Sequence, residues 1–252
     1  MRDYMITIKT RSQIEQMKEA GAILAACHRE IRKLIEPGIT TIEIDRFAEK
    51  FIRAAGATAE QKGYNGFPYA TCTSVNDVIC HGFPGSYALK DGDIVTVDMV
   101  VNLNGWLADS AWSYAVGNVS EEAQRLLDVT KESLYKGIEK AVIGNRIGDI
   151  SNAIQVYAES EGFSVVREFI GHGIGREMHE EPQVPHYGPP KLGPRLKEGM
   201  VITIEPMLNT GTYRSKIDSD GWTARTLDGG LSAQYEHTIA ITADGPEILT
   251  LQ

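Results

Sequence analysis

KDGDIVTVDMVVNLNGWLADSAW, residues 90–112, decides how the rest of the chain is read. Apolar residues run at strand length on both sides of Asn104-Gly105, a pair that favours the left-handed conformations of a two-residue hairpin turn. With that pair at the turn, Leu103 faces Trp106 and Val100 faces Asp109. Side chains alternate between the faces of a sheet, so Asp98 shares a face with Asp109, one diagonal step away. Two carboxylates side by side in an apolar hairpin repel each other and are costly to bury unless a cation lies between them.

Three further residues have the same character: His172 in FIGHGIG, Glu205 in ITIEPM and Glu236 in QYEHTIAI. Each stands in or beside a short apolar run, where a polar group must be paired or metal-bound. Strand-end salt bridges are the bland explanation, but few basic residues lie near these carboxylates in sequence. One site holding divalent metal accounts for all five together, and the glycines on both sides of His172 in GHGIG are expected to let backbone approach that metal closely. Four carboxylates to one imidazole, with no cysteine, is too oxygen-rich for structural zinc, and the donors come from no single calcium loop. Two Mn²⁺, Fe²⁺ or Co²⁺ ions, with zinc as a further option, suit such a donor set. A pair of divalent ions polarises a carbonyl and binds a hydroxide nucleophile, so metal-assisted hydrolysis is the expected chemistry.

The hairpin segment also has a near copy. KDGDIVTVD, ending at Asp98, matches KEGMVITIE, ending at Glu205. Upstream, Gly38 to Gly56 lines up with Gly144 to Gly162, and both stretches follow segments with apolar residues at helical spacing (14–35 and 120–143). Each half reads helix, turn, helix, strands, with its first helix beginning near Ser12 in one case and Ser120 in the other. A duplicated α+β unit is expected, with halves at about 12–117 and 118–252, forming a single domain over 1–252. In this scheme Glu205 and Glu236 are the second-half counterparts of Asp98 and Asp109. The longer gap between them holds a polar, glycine-rich excursion, residues 209–230, that is expected at the rim of the site.

Composition excludes several classes. A 42% apolar and 23% charged chain of 252 residues is ordinary for a globular protein. The net charge of −9 and the absence of a basic run argue against nucleic-acid binding. Three cysteines without CxxC spacing give no disulfide framework, and neither a signal peptide in the first residues nor a membrane span is evident. A reduced, cytoplasmic setting follows as the expectation. His81 in NDVICHGFPG and His179, seven residues after His172, are spare histidines in glycine-rich contexts. For an isolated histidine, a single structural hydrogen bond is the simpler account; these contexts favour substrate contact.

HGFPG at His81, VTVDMVVNLNGWLADSA at Asp98 and Asp109, GHGIGREMHEEPQVPHY at His172 and His179, ITIEPM at Glu205 and SAQYEHTIAIT at Glu236 together resemble type I methionine aminopeptidase along nearly the whole chain. The resemblance implies the pita-bread fold, with two pseudo-symmetric α+β halves around a central antiparallel sheet. It also implies a centre of two divalent ions. Residues matching Asp98, Asp109 and Glu236 hold one ion; those matching Asp109, His172, Glu205 and Glu236 hold the other. The implied activity is removal of the initiator methionine from nascent polypeptides with a small second residue, by a metal-bridging hydroxide. A monomer acting on nascent N-termini near the ribosome is implied as well. His81 and His179 match substrate-contacting positions, and Glu205 is the expected proton shuttle. The methionine pocket maps onto Tyr64, Phe67, Cys72, Met178 and Trp222, aromatic and thioether walls that suit a methionine side chain. The chain departs from the family's commoner pattern at Phe67, Met178 and Gln61, the last expected at the pocket's outer edge. The length leaves no room for the large N-terminal domain of prolidases or the helical insertion of type II enzymes.

Overall fold

In the computed structural model, which describes residues 5–252, the strands Ile94–Leu103 and Trp106–Ala115 pair antiparallel. Leu103 lies opposite Trp106 and Val100 opposite Asp109, as the turn chemistry requires. Asn104 (φ 54°) and Gly105 (φ 80°) both take the left-handed conformation that a type I′ turn demands. Residues 1–4, the start of the stretch read above as lacking a leader, lie outside the described residues.

The helix pairs also form where the repeat places them. In the first half, α1 spans Arg11–Leu34 and α2 Thr41–Ala54. In the second, α3 spans Glu121–Ile138 and α4 Ile147–Ser160. Their starts are written in the sequence: Thr10 with Gln13 and Thr40 with Glu43 make capping boxes, and the Ser120 hydroxyl accepts from the Ala123 amide. Matching glycines share a conformation, with φ 102° at Gly38 and 93° at Gly144, then 78° at Gly56 and 88° at Gly162. Along α1, Met17, Leu24 and Ile31 recur every seventh residue and are fully buried. Each such side chain contributes on the order of 1.5–3 kcal/mol of burial free energy. One apolar cluster takes residues from all four helices and from the strands of both halves.

Two antiparallel sheets meet at the centre. In the first, Ile94–Leu103 is flanked by Thr58–Ala59, Cys72–Val75 and Trp106–Ala115. The second runs in the order Gly245–Ile248, His237–Thr242, Val201–Ile204, Gly171–Gly173, Glu180–Val184. Trp106–Ala115 and the chain through His237–Thr242 abut, joined by polar contacts. The Asp109 amide donates to Thr238 Oγ1 (3.0 Å), the Thr238 hydroxyl donates to the Asp109 carbonyl (2.8 Å), and the Glu236 amide donates to the Ala111 carbonyl (2.9 Å).

This register corrects one expectation. Asp98 lies opposite Ala111, and Ile204 lies opposite His237. Continued by one residue, the second pairing sets Glu205 opposite Glu236. Glu236 therefore takes the place of Ala111 in the other half, and the counterpart of Asp109 is Gln234, which pairs with Met207 as Asp109 pairs with Val100. Glu205 does match Asp98, but the two halves deliver their second acid from different register positions.

Candidate metal centre

Strand alternation and the meeting of the two sheets bring the five sequence-selected residues into one cleft of about 350 Å³. Asp98 and Asp109 come from the two hairpin strands, His172 from Gly171–Gly173, Glu205 from just after Val201–Ile204, and Glu236 from just before His237–Thr242. Donor atoms of Asp109, His172 and Glu236 all lie within 4.8 Å of one another. His172 Nε2 is 3.8 Å from Asp109 Oδ2 and 3.6 Å from Glu205 Oε1. Asp98 rests against Asp109, and its Oδ1 accepts from Gln61 Nε2 at 3.3 Å.

The tautomer of His172 follows from its neighbours. Its Nδ1–H donates to the Gly173 carbonyl at 2.9 Å, which leaves the Nε2 lone pair facing the carboxylates. Burial, with the nearby His179 second, pushes its pKa down to about 3, so the ring is neutral. The carboxylates shift the other way. Burial raises Asp98 to about 7 and Glu205 to about 8, while Asp109 and Glu236 go well above the usual range through burial and then repulsion from their acidic neighbours.

Among the described residues no lysine or arginine lines the cleft, and no ion pair other than those with His172 reaches these four acids. Asp109 Oδ1 and Glu236 Oε1 are buried without a hydrogen-bond partner. The salt-bridge alternative therefore fails. An all-oxygen set with one neutral imidazole and unpaired buried oxygens fits divalent metal.

The expected substrate-side residues line the same cleft: Tyr64, Phe67, Cys72, His81, Met178, His179 and Trp222. Phe67 and Trp222 meet edge to face with centroids 5.2 Å apart. His179 is exposed to the cleft; the Tyr64 hydroxyl bonds its Nδ1 at 2.7 Å, and its ring lies 4.3 Å from that of His172. With Tyr64 donating, Nε2 carries the proton and is free to donate. His81 is half-buried, holds a left-handed backbone (φ 57°) and packs edge-on against Phe169.

Three details depart from expectation. Gln61 is not at an outer edge: it is buried, and its amide is shared between Asp98 and Cys72 Sγ (3.6 Å). Gly171 and Gly173 clear neighbouring strands rather than the metal, since a Cβ on them would lie 2.5 Å from the Thr203 carbonyl and 2.2 Å from the Glu181 carbonyl. Of the excursion 209–230, Trp222 alone lines the cleft. Gln234 and Thr203 were missed, because nothing about an isolated amide or hydroxyl in an apolar strand marks its partner. Gln234 Nε2 approaches Glu205 Oε2 at 3.4 Å, and the Thr203 hydroxyl donates to Glu205 Oε1 at 2.8 Å.

Comparison with known proteins agrees with this geometry. Metallopeptidase family M24 matches residues 15–243. Methionine aminopeptidase from Clostridium perfringens is 56% identical over 247 residues, covering 98% of this chain and 99% of that one. Methionine aminopeptidase 1 from Bacillus subtilis is 54% identical, covering 98% and 99%. The crystal structure of methionine aminopeptidase from Rickettsia prowazekii superposes with a TM-score of 0.97 at 44% identity, covering 98% of this chain and all of that one. The two-half antiparallel architecture is the pita-bread fold. The chain belongs to metallopeptidase family M24 and, within it, to the methionine aminopeptidases.

Proposed function

We propose that this protein hydrolyses the first peptide bond of polypeptides that begin with methionine and carry a small second residue, using two divalent ions. Asp98, Asp109 and Glu236 would hold one ion; Asp109, His172, Glu205 and Glu236 the other. Bound divalent metal would supply an activated water and a Lewis acid for the carbonyl. The chain's residues do the rest. Phe67, Trp222, Tyr64, Cys72 and Met178 receive the methionine side chain, with sulfur against ring edges. Glu205 accepts a proton and passes it to the leaving amine. His179, its Nδ1 satisfied by Tyr64, donates from Nε2 to the carbonyl oxygen as negative charge develops. His81 contacts the peptide nitrogen after methionine.

One observation carries this reading: buried, unpaired oxygens of Asp109 and Glu236 converge with His172 at the floor of a cleft walled by aromatic and thioether side chains. We read the 252 residues as one domain, supported by the apolar cluster that spans both halves. A cytoplasmic setting rests on three free, buried cysteines, and action as a monomer on nascent N-termini near the ribosome completes the proposal. Among the described residues no helix is long and apolar enough to cross a membrane. Metal-reconstituted protein incubated with Met-Ala-Ser and Leu-Ala-Ser tests the activity. Release of methionine from the first, with little leucine from the second, is expected; equal release, or none, would overturn the reading.

A further inference from the structure

Thr203 stands at the centre of strand Val201–Ile204 and is fully buried. Its hydroxyl oxygen accepts the His172 amide at 3.0 Å and lies 2.8 Å from Glu205 Oε1. A hydroxyl has one proton. With a lone pair taken by an N–H, and a carboxylate oxygen that can only accept when ionised, that proton is directed at Glu205. One atom thus ties the backbone of the imidazole residue to the carboxylate of the proposed proton shuttle, two groups 3.6 Å apart at Nε2 and Oε1.

The internal repeat shows that this is more than a property of the strand. Thr96 is the matching residue of the first half, in TVD against TIE, and its hydroxyl bonds Ser113 Oγ at 2.7 Å, away from Asp98. The same residue at the same register position serves sheet packing in one half and the acid in the other. The close approach that permits this is also built in. A Cβ at Gly171 would come within 2.5 Å of the Thr203 carbonyl and 3.2 Å of its Oγ1, so any larger residue would push the His172 strand away from the hydroxyl.

We infer that Thr203 is a positioning residue: its hydroxyl sets Glu205 and His172 at the separation the metal centre needs. The inference rests on the aminopeptidase reading above. Two variants split the hydroxyl from the methyl. Thr203→Val keeps shape and loses the hydroxyl; Thr203→Ser keeps the hydroxyl and loses the methyl. Metal titration of chelated protein by calorimetry, steady-state kinetics on Met-Ala-Ser and melting temperature are measured for wild type and both variants. Partners outside the ligand shell are typically worth about 10–100-fold in metal affinity or activity. Thr203→Val is expected to lose that much in metal affinity, and to lose kcat with little change in KM. Thr203→Ser recovers most of that loss although it melts lower. Metal affinity and kcat that track melting temperature across the two variants, or a Thr203→Val protein matching wild type in both, would overturn the inference. If wild type binds metal but releases no methionine, the aminopeptidase reading fails instead, and the calorimetry still decides Thr203.

Discussion

At the scale of single residues, Glu205 carries two of the proposed roles, holding metal and moving a proton. Glu205 has both oxygens within reach of donors, Thr203 Oγ1 at one and Gln234 Nε2 at the other, so its carboxylate is oriented before substrate arrives. Glu205→Gln preserves shape and removes the base; turnover should fall by roughly 10²–10⁴ while at least one metal still binds. More than a tenth of wild-type kcat in a metal-loaded Glu205→Gln enzyme would exclude the shuttle role. His81 and His179 pose a second question, since a buried structural histidine and a substrate contact predict opposite outcomes. Neither is fully buried, and His179 faces the cleft. His179→Ala should lower kcat by roughly 10²–10³, the usual effect of losing an oxyanion donor. His81→Ala should also slow turnover, and both variants should keep wild-type metal content and melting temperature. Normal kcat with a depressed melting temperature would make them structural residues.

At the scale of elements, the hairpin tip aligns two of the acids. Arg176 donates to the Gly105 carbonyl at 2.9 Å and stacks 4.0 Å from the centroid of Trp106, so the tip is clamped to the segment that also bears Met178 and His179. A Cβ at Gly105 would lie 2.4 Å from Arg176 Nη1, and φ there is 80°. The arginine terminus can swing aside, but the backbone cannot relax without losing the turn. Gly105→Ala should therefore cost roughly 1–2 kcal/mol, the left-handed strain of a residue with a side chain. Urea unfolding should show a lower midpoint at unchanged slope; an unshifted midpoint would show that the tip is not strained.

Two effects belong to the whole molecule. Metal bound only by the folded state stabilises it by mass action, by about 2.7 kcal/mol at a hundredfold excess over Kd. Excess chelator should therefore abolish turnover and lower the melting temperature together, and activity that survives chelation and dialysis would refute a metal centre. The second effect concerns His28, fully buried in α1, whose Nε2 contacts the Ser110 carbonyl at 3.2 Å and whose Nδ1 contacts the Tyr114 hydroxyl at 2.8 Å. Burial lowers its pKa to about 4. Between that value and the unfolded value near 6.5 the unfolded chain binds a proton that the folded chain refuses, so stability is lost as pH falls through this window. His28→Gln should flatten the slope of stability against pH there by up to about 1.4 kcal/mol per unit. An unchanged slope would show that His28 does not contribute to acid unfolding.

What the chain by itself determined was whatever depends on near neighbours. Asn104-Gly105 set the hairpin register, and hence placed Asp98 beside Asp109, because turn conformation and side-chain alternation are local. The capping boxes at Thr10 and Thr40, and the paired glycines of the two halves, likewise follow from short-range chemistry. Residue type alone was enough to mark four carboxylates and a histidine in apolar runs as one candidate set, since isolated burial of each would be too costly, and all five line one cleft. Only the tertiary structure decided which strands face one another across the two halves. That is why Glu236 proved to match Ala111 rather than Asp109, why Gln61 turned out to hold Asp98, and why Thr203 and Gln234 gave no signal. A hydroxyl or an amide has no charge to betray its partner; its role depends on what another strand, distant in sequence, brings within about 3 Å.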